Sequence, residues 1–144
     1  LLAARRHPQQ AGAPVGGSGD RFALANADAL IDYWSGTCDE MEDLNPFVAR
    51  LRFHEPLPSG LRTGDALDNL SWHPTAFVRR NHFLRNRARG ALLSSRGPML
   101  VEHNTFSVPG SGIHVAGGLG LWCESGPVRS LTIRHNRFES CASE

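Results

Sequence analysis

The alternation of apolar and polar positions is clearest between Thr75 and Phe138, where one phrase occurs three times. It reads AFVRRNHF at 76–83, MLVEHNTF at 99–106 and LTIRHNRF at 131–138. In each copy an apolar residue is followed two places on by Val or Ile, three further by Asn and two further by Phe. A period of two marks a strand. Asn81 and Asn104 are 23 residues apart, Asn104 and Asn136 are 32 apart, and a second phrase comes after the first two copies, GALL at 90–93 and GIHV at 112–115. Strand-like alternation recurring in the low twenties predicts short parallel strands stacked turn upon turn. The Leu-x-x-Leu-x-Leu pattern of leucine-rich repeats is missing, so the expected architecture is a parallel β-helix of about three coils.

Stacking at about 4.8 Å predicts inward columns. These are Ala76/Met99/Leu131, Val78/Val101/Ile133 and Phe83/Phe106/Phe138, which together fill a core that one coil cannot bury alone. The Asn column falls at the corner between strand and turn. Asn tolerates unusual backbone angles there, and stacked amides can bond along the column. Taken singly, an Asn-x-Phe is a turn residue beside a core aromatic; the shared register is what makes a column. The outward neighbours Arg79, Glu102 and Arg134 predict an alternating charge ladder of exposed pairs worth about 0.2–1 kcal/mol each. His103 and His135 occupy equivalent places, which points to a surface ladder rather than a metal pair.

Residues before Leu70 lack the phrase. Arg21–Ala25 and Phe47–Phe53 alternate with period two, and Pro56, Pro58, Gly60 and Gly64-Asp65 mark turns after the second of these segments. The expectation is a small antiparallel, β-barrel-like subdomain at 1–70 followed by β-helix coils at 71–144, all-β throughout. Asp28–Tyr33 reads as a helical turn or a short strand. Thr37–Asn45, with Asp39, Glu40, Glu42 and Asp43, reads as a solvated acidic loop. Leu70-Ser71-Trp72 leads into the first coil.

Charge and composition add mainly exclusions. The formal net charge is +1 and every basic residue is Arg. With no basic stripe interleaved with aromatics, nucleic acid is not an expected partner. No apolar run is long enough to cross a membrane. The cysteines, Cys38, Cys123 and Cys141, are odd in number and form no C-x-x-C, so neither a disulfide framework nor a zinc site is implied; Cys141 reads as a core thiol. The chain opens with Leu1 and its LLAARR start has no signal-peptide core, so it reads as a piece of a longer protein.

The longer interval between the second and third copies places nine extra residues in Ala116–Arg129. Solenoids carry insertions on the surface, often at the binding face. This one contains Trp122, whose ring suits the apolar face of a sugar, and Glu124, which can accept sugar hydroxyls or act as an acid or base. The competing reading has Trp122 plugging the loop onto the coil and Glu124 capping a turn. Arg96 at the corresponding corner and His114, outward between Ile113 and Val115, can reach the same mouth. Arg87 and Arg89 flank another corner, where a surface salt bridge is the blander role.

NRARG at 86–90, SSRG at 94–97, the N-x-F phrases and WCESGPVRSLTIRHNRF at 122–138 resemble the α-1,3-galactosidases of glycoside hydrolase family 110. HPQ at 7–9, GDRF at 19–22 and EPLPSGLRTGDALDNLSW at 55–72 extend the resemblance over most of the chain. It implies a secreted or periplasmic right-handed β-helix with small β-barrel domains, removing terminal α-1,3-linked galactose with inversion and without a metal or other cofactor. The implied partner is a galactose-terminated glycan; Trp122 and Glu124 match the family, and Arg96, Arg89 and His114 join them as candidate substrate contacts from their places around the coils.

Inversion needs two carboxyl groups roughly 6.5–9.5 Å apart. The family's catalytic aspartates are implied in a G-D-D coil ahead of the segment matched here, and this chain contains no G-D-D. Gly118 stands where the family carries an acidic residue. In the coils only Glu102, Glu124, Glu139 and Glu144 are carboxylates, and Glu124 is the sole candidate for a catalytic role. The chain alone is therefore expected to be inactive. Two alternatives stand beside the glycosidase reading: a β-helix that binds glycan without hydrolysing it, and a purely structural one.

Overall fold

The computed structural model describes residues 1–5, 15–119 and 125–142. Among these the chain is all-β, with one short 3-10 turn at Leu70–Trp72. It divides into two compact units, Leu1–His73 with Gly118–Gly126, and Pro74–Gly117 with Pro127–Glu144.

The first unit is a five-stranded sheet. Its strands are β1 (Leu2–Arg5), β2 (Arg21–Asn26), β3 (Ile31–Asn45), β4 (Val48–Phe53) and β5 (Ala66–Asn69), in the order β1-β4-β3-β2-β5. Every pairing is antiparallel. Strand β4 keeps the expected alternation, burying Ala49, Leu51 and Phe53 between exposed Arg50 and Arg52. Strand β2 does not alternate: Phe22, Ala23, Leu24 and Ala25 are all buried, so both faces of this strand are covered. Phe53 meets the edges of Phe22 and Trp34 at centroid distances of 5.9 and 5.1 Å.

One expectation fails here. The acidic stretch Thr37–Asn45 is not a loop but the second half of β3. Its charge is matched across the ladder: Glu42 pairs with Arg50 at 2.8 Å, and Arg52 holds Asp39 at 2.9 Å and Glu40 at 3.1 Å. Cys38 meanwhile sits in the core, where Met41 packs against it. Asp28–Tyr33 divides between the two readings: a single helical turn, closed by Leu30 N–H donating to Asn26 O at 2.9 Å, and the start of a strand. Residues 27–30 turn under Asn26, whose Oδ1 accepts from the amides of Asp28 (3.1 Å) and Ala29 (2.7 Å), and Ile31 then begins β3.

In the second unit the three phrases form strands in matching places. The first gives β6 (Ala76–Arg79) and β7 (His82–Leu84); the second gives β9 (Met99–Glu102) and β10 (Thr105–Ser107). The third gives β12 (Leu131–Arg134) and β13 (Arg137–Phe138). The shorter phrase falls in β8 (Arg89–Leu93) and β11 (Ser111–Val115). Three parallel ladders result, ordered β12-β9-β6, β13-β10-β7 and β11-β8.

The registers align the expected columns. Ala76 and Leu131 flank Met99, Val78 and Ile133 flank Val101, and Phe83 and Phe138 flank Phe106. The phenylalanine rings stack at 4.7 and 5.2 Å, within 10° of parallel. Val101 and Phe106, covered from both sides, are fully buried, while Ile133 and Phe138 in the third copy are 42% and 50% exposed. The room for the rings comes from glycine: a Cβ on Gly90 would lie 2.7 Å from Phe106, and one on Gly112 2.6 Å from Phe138.

The Asn column bonds along its length. Asn104 donates its backbone N–H (2.9 Å) and its Nδ2–H (2.9 Å) to Asn136 Oδ1, and Nδ2 also donates to Val78 O at 2.8 Å. The strained backbone, however, lies one residue earlier than expected. Arg80, His103 and His135 take the left-handed conformation, at φ of 55°, 55° and 53°. They turn the corner, which leaves Asn to point inward; Asn104 is buried. His103 and His135 stack on the surface with centroids 5.0 Å apart.

Candidate functional site

Trp122 and Glu124 lie outside the described residues, as does the 7–9 motif. The described ends of the insertion are placed. Ala116 N–H donates to Leu93 O at 3.1 Å, one residue beyond β11. Gly118 and Ser125 then form an antiparallel bridge, with Gly118 N–H donating to Ser125 O at 2.9 Å. Val128 packs on the core of the second unit.

The remaining candidates are spread along one ladder and its exit. Arg89 opens β8 opposite Ser111 and is exposed, whereas His114 lies opposite Leu92 and is half-buried. Three ladder positions separate them, about 10 Å. Arg96 is half-buried in the turn between β8 and β9.

The best-defined electrostatic feature is the Arg79–Glu102–Arg134 ladder. Arg79 donates through Nε to Glu102 Oε1 at 2.6 Å, and Arg134 through Nε to Oε2 at 2.7 Å. Glu102 is not the exposed ladder member anticipated: it is 1% accessible, roofed by two arginines whose side chains are about half exposed. The Arg134 hydrogen bond, followed by the one from Arg79, holds its carboxyl below the usual value against the opposing effect of burial. Such a group stays ionised and suits structure, not proton donation. The other displaced carboxyls, Glu55 and Asp65, are also lowered; Glu55 accepts from Thr37 N–H, and Asp65 from the Tyr33 hydroxyl. Among the described residues no group of three or more His, Cys, Asp or Glu side chains could hold a metal ion.

One polar cluster was not anticipated. Asp68 on β5 accepts from Gly126 N–H at 3.2 Å, and the same oxygen, Oδ2, lies 3.4 Å from His73 Nε2. Both side chains are largely buried. The 3-10 turn, capped by Asn69 Oδ1 accepting from Ser71 N–H at 2.8 Å, brings His73 back onto Asp68. Asp68 lies within the 55–72 segment and His73 just beyond it, but only this turn makes them neighbours.

Residues 2–67 match the family described as GLAA-B beta-barrel domain II. The chain is 35% identical to α-1,3-galactosidase A of Shewanella woodyi over 136 residues, 94% of this chain and 22% of that protein. It is 38% identical to α-1,3-galactosidase B of Bacteroides thetaiotaomicron over 104 residues, 72% of this chain and 17% of the relative. The chain belongs to the α-1,3-galactosidase A/B family. A third member, α-1,3-galactosidase A of Akkermansia muciniphila, is 32% identical over 94% of this chain and 23% of its own length. The chain thus spans about a fifth of the length of these curated relatives. The alignable stretch includes both structural units, so family membership does not rest on the barrel domain alone.

Proposed function

We propose that the chain is part of a secreted or periplasmic carbohydrate-active protein that acts on galactose-terminated glycans. In this reading residues 1–70 are a small β-barrel domain and 71–144 the coils of a right-handed parallel β-helix. Three in-register parallel ladders support the second assignment, and the match at 2–67 supports the first. The observation that carries the functional reading is similarity over 94% of the chain to a protein named α-1,3-galactosidase A.

The proposed reaction is inverting hydrolysis of a terminal α-1,3-linked galactose. One carboxylic acid protonates the leaving oxygen while a second carboxylate activates water on the opposite ring face. This chain's share is substrate contact. Trp122 stacks on the sugar, Glu124 accepts from its hydroxyls, and Arg96, Arg89 and His114 donate to ring and hydroxyl oxygens. The acid–base pair comes from the remainder of the longer protein.

The test compares the full-length protein with this chain on an α-1,3-linked galactose disaccharide. The full-length protein should release galactose and the chain alone should not. Turnover by the chain, abolished by Glu124→Gln, would show that the catalytic group lies here instead. A full-length protein that binds the disaccharide without cleaving it would favour the glycan-binding alternative, to which Gly118 in place of an acidic residue also points.

A further inference from the structure

Two buried side-chain polar atoms among the described residues, His73 Nε2 and Ser125 Oγ, have no hydrogen-bond partner. Buried polar groups are nearly always satisfied, so an unpartnered pair calls for an explanation. One touches the Asp68 carboxylate, and the other belongs to the residue before an amide that does. His73 Nε2 is 3.4 Å from Asp68 Oδ2 in an off-line contact that is no hydrogen bond. Ser125 precedes Gly126, whose N–H donates to that same oxygen at 3.2 Å. The cluster lies wholly within the first unit.

We propose that Asp68, His73 and Ser125 form a subsite for one sugar hydroxyl, an inference that rests on the galactoside reading above. A hydroxyl carries one donor hydrogen and two acceptor lone pairs. The cluster offers the complement: a carboxylate oxygen to accept, and an imidazole N–H and a serine O–H to donate. A purely structural trio would be internally bonded, with His73 in line with Asp68 and Ser125 turned to a backbone carbonyl. Instead His73 Nε2 lies unmet beside the acceptor, and Ser125 Oγ is unmet one residue before the amide that bonds it. The side chains of Asp68 and His73 keep 12% and 14% exposure, while the Nε2 and Oγ atoms themselves are buried. Beside Gly118, the bridge partner of Ser125, the space is open: a Cβ there would meet nothing within 4 Å. The geometry assigns these residues to binding and positioning, with no proton transfer.

Methyl α-galactoside titrated into the full-length protein by calorimetry tests this. Ser125→Ala should weaken binding about threefold to tenfold, the effect of one lost hydrogen bond. Its melting temperature should not move, because the hydroxyl makes no bond within the protein. His73→Phe should act in the same direction; if it fails to fold, Ser125→Ala carries the test. Unchanged affinity in Ser125→Ala overturns the subsite, and if Trp122→Ala still loses binding, the galactoside reading survives alone. A liganded crystal structure with only water on the three atoms and the sugar elsewhere also overturns it. A wild-type protein that binds no galactoside overturns both.

Discussion

Arg79 Nε and Glu102 Oε1 are 2.6 Å apart across adjacent parallel strands, 23 positions apart in the chain, and the second oxygen of the same carboxylate is held by Arg134. Burial and two guanidinium partners make Glu102 a carboxylate that must be ionised for the ladder to hold. Its folded-state value lies below the ordinary 4.5. Its contribution to stability is therefore complete above about pH 4.5 and is lost as pH falls through the depressed folded value. Urea midpoints measured between pH 7 and pH 3 should fall most steeply in this acidic window. Glu102→Gln should lower the midpoint at pH 7 and flatten the acid limb. An unaltered acid limb in the variant would remove Glu102 as its source.

Asn104 joins three copies of the phrase, and its side chain accepts from Asn81 as well as donating to Val78 O and Asn136 Oδ1. Asn104→Ala should cost about 3 kcal/mol in equilibrium denaturation, since it leaves buried backbone groups of neighbouring strands unpaired. Asn81→Ala, at an exposed position, should cost about 1 kcal/mol or less. Equal costs at the two sites would mean that the column contributes nothing beyond local turns.

Phe106 is fully buried between two parallel rings, and Phe138 is half exposed. Phe106→Ala should destabilise by about 3–5 kcal/mol. Phe138→Ala should lose well under half as much, because most of its removed surface already faces water. Thermal melts of the two variants, measured under one buffer condition, decide it.

Glu42 and Arg50 are register partners with a 2.8 Å ion pair. A double-mutant cycle with Glu42→Ala and Arg50→Ala should give a coupling of only about 0.2–1 kcal/mol, because both side chains are substantially exposed, at 58% and 44%. Placing Glu at position 50 should be worse than Ala, and Arg at position 42 should rescue it. Failure of the charge swap to rescue would place the acidic stretch away from β4.

The parts of the fold that were legible are those in which neighbours in space repeat the same residue types along the chain. Val78, Val101 and Ile133 advertise one column because stacking demands similar side chains at equivalent places. The acidic half of β3 was illegible because the meaning of Glu40 and Glu42 depends on Arg52 and Arg50, which become partners only after the hairpin closes. The corner was misread for a similar reason. Asn is the residue known to accept left-handed angles, but here its amide is needed inside, so Arg80, His103 and His135 take the strain. Of the candidate site, the register of Arg89 and His114 came directly from the phrase. The meeting of Asp68 with His73 did not, because it depends on one 3-10 turn.

The asparagine column also has a direction. Asn81 donates its N–H to the Oδ1 of Asn104, and Asn104 donates in turn to Asn136, so the side-chain oxygens of Asn104 and Asn136 each face the preceding copy. A column built this way behaves as a keyed joint. A layer meeting it on the Asn136 side must present a side-chain acceptor to a backbone amide, and one on the Asn81 side must present a donor to Oδ1. A copy inserted back to front would place like against like. The same three amides that bind the copies together therefore also read the order and sense in which copies can be stacked, independently of the shape of the apolar core.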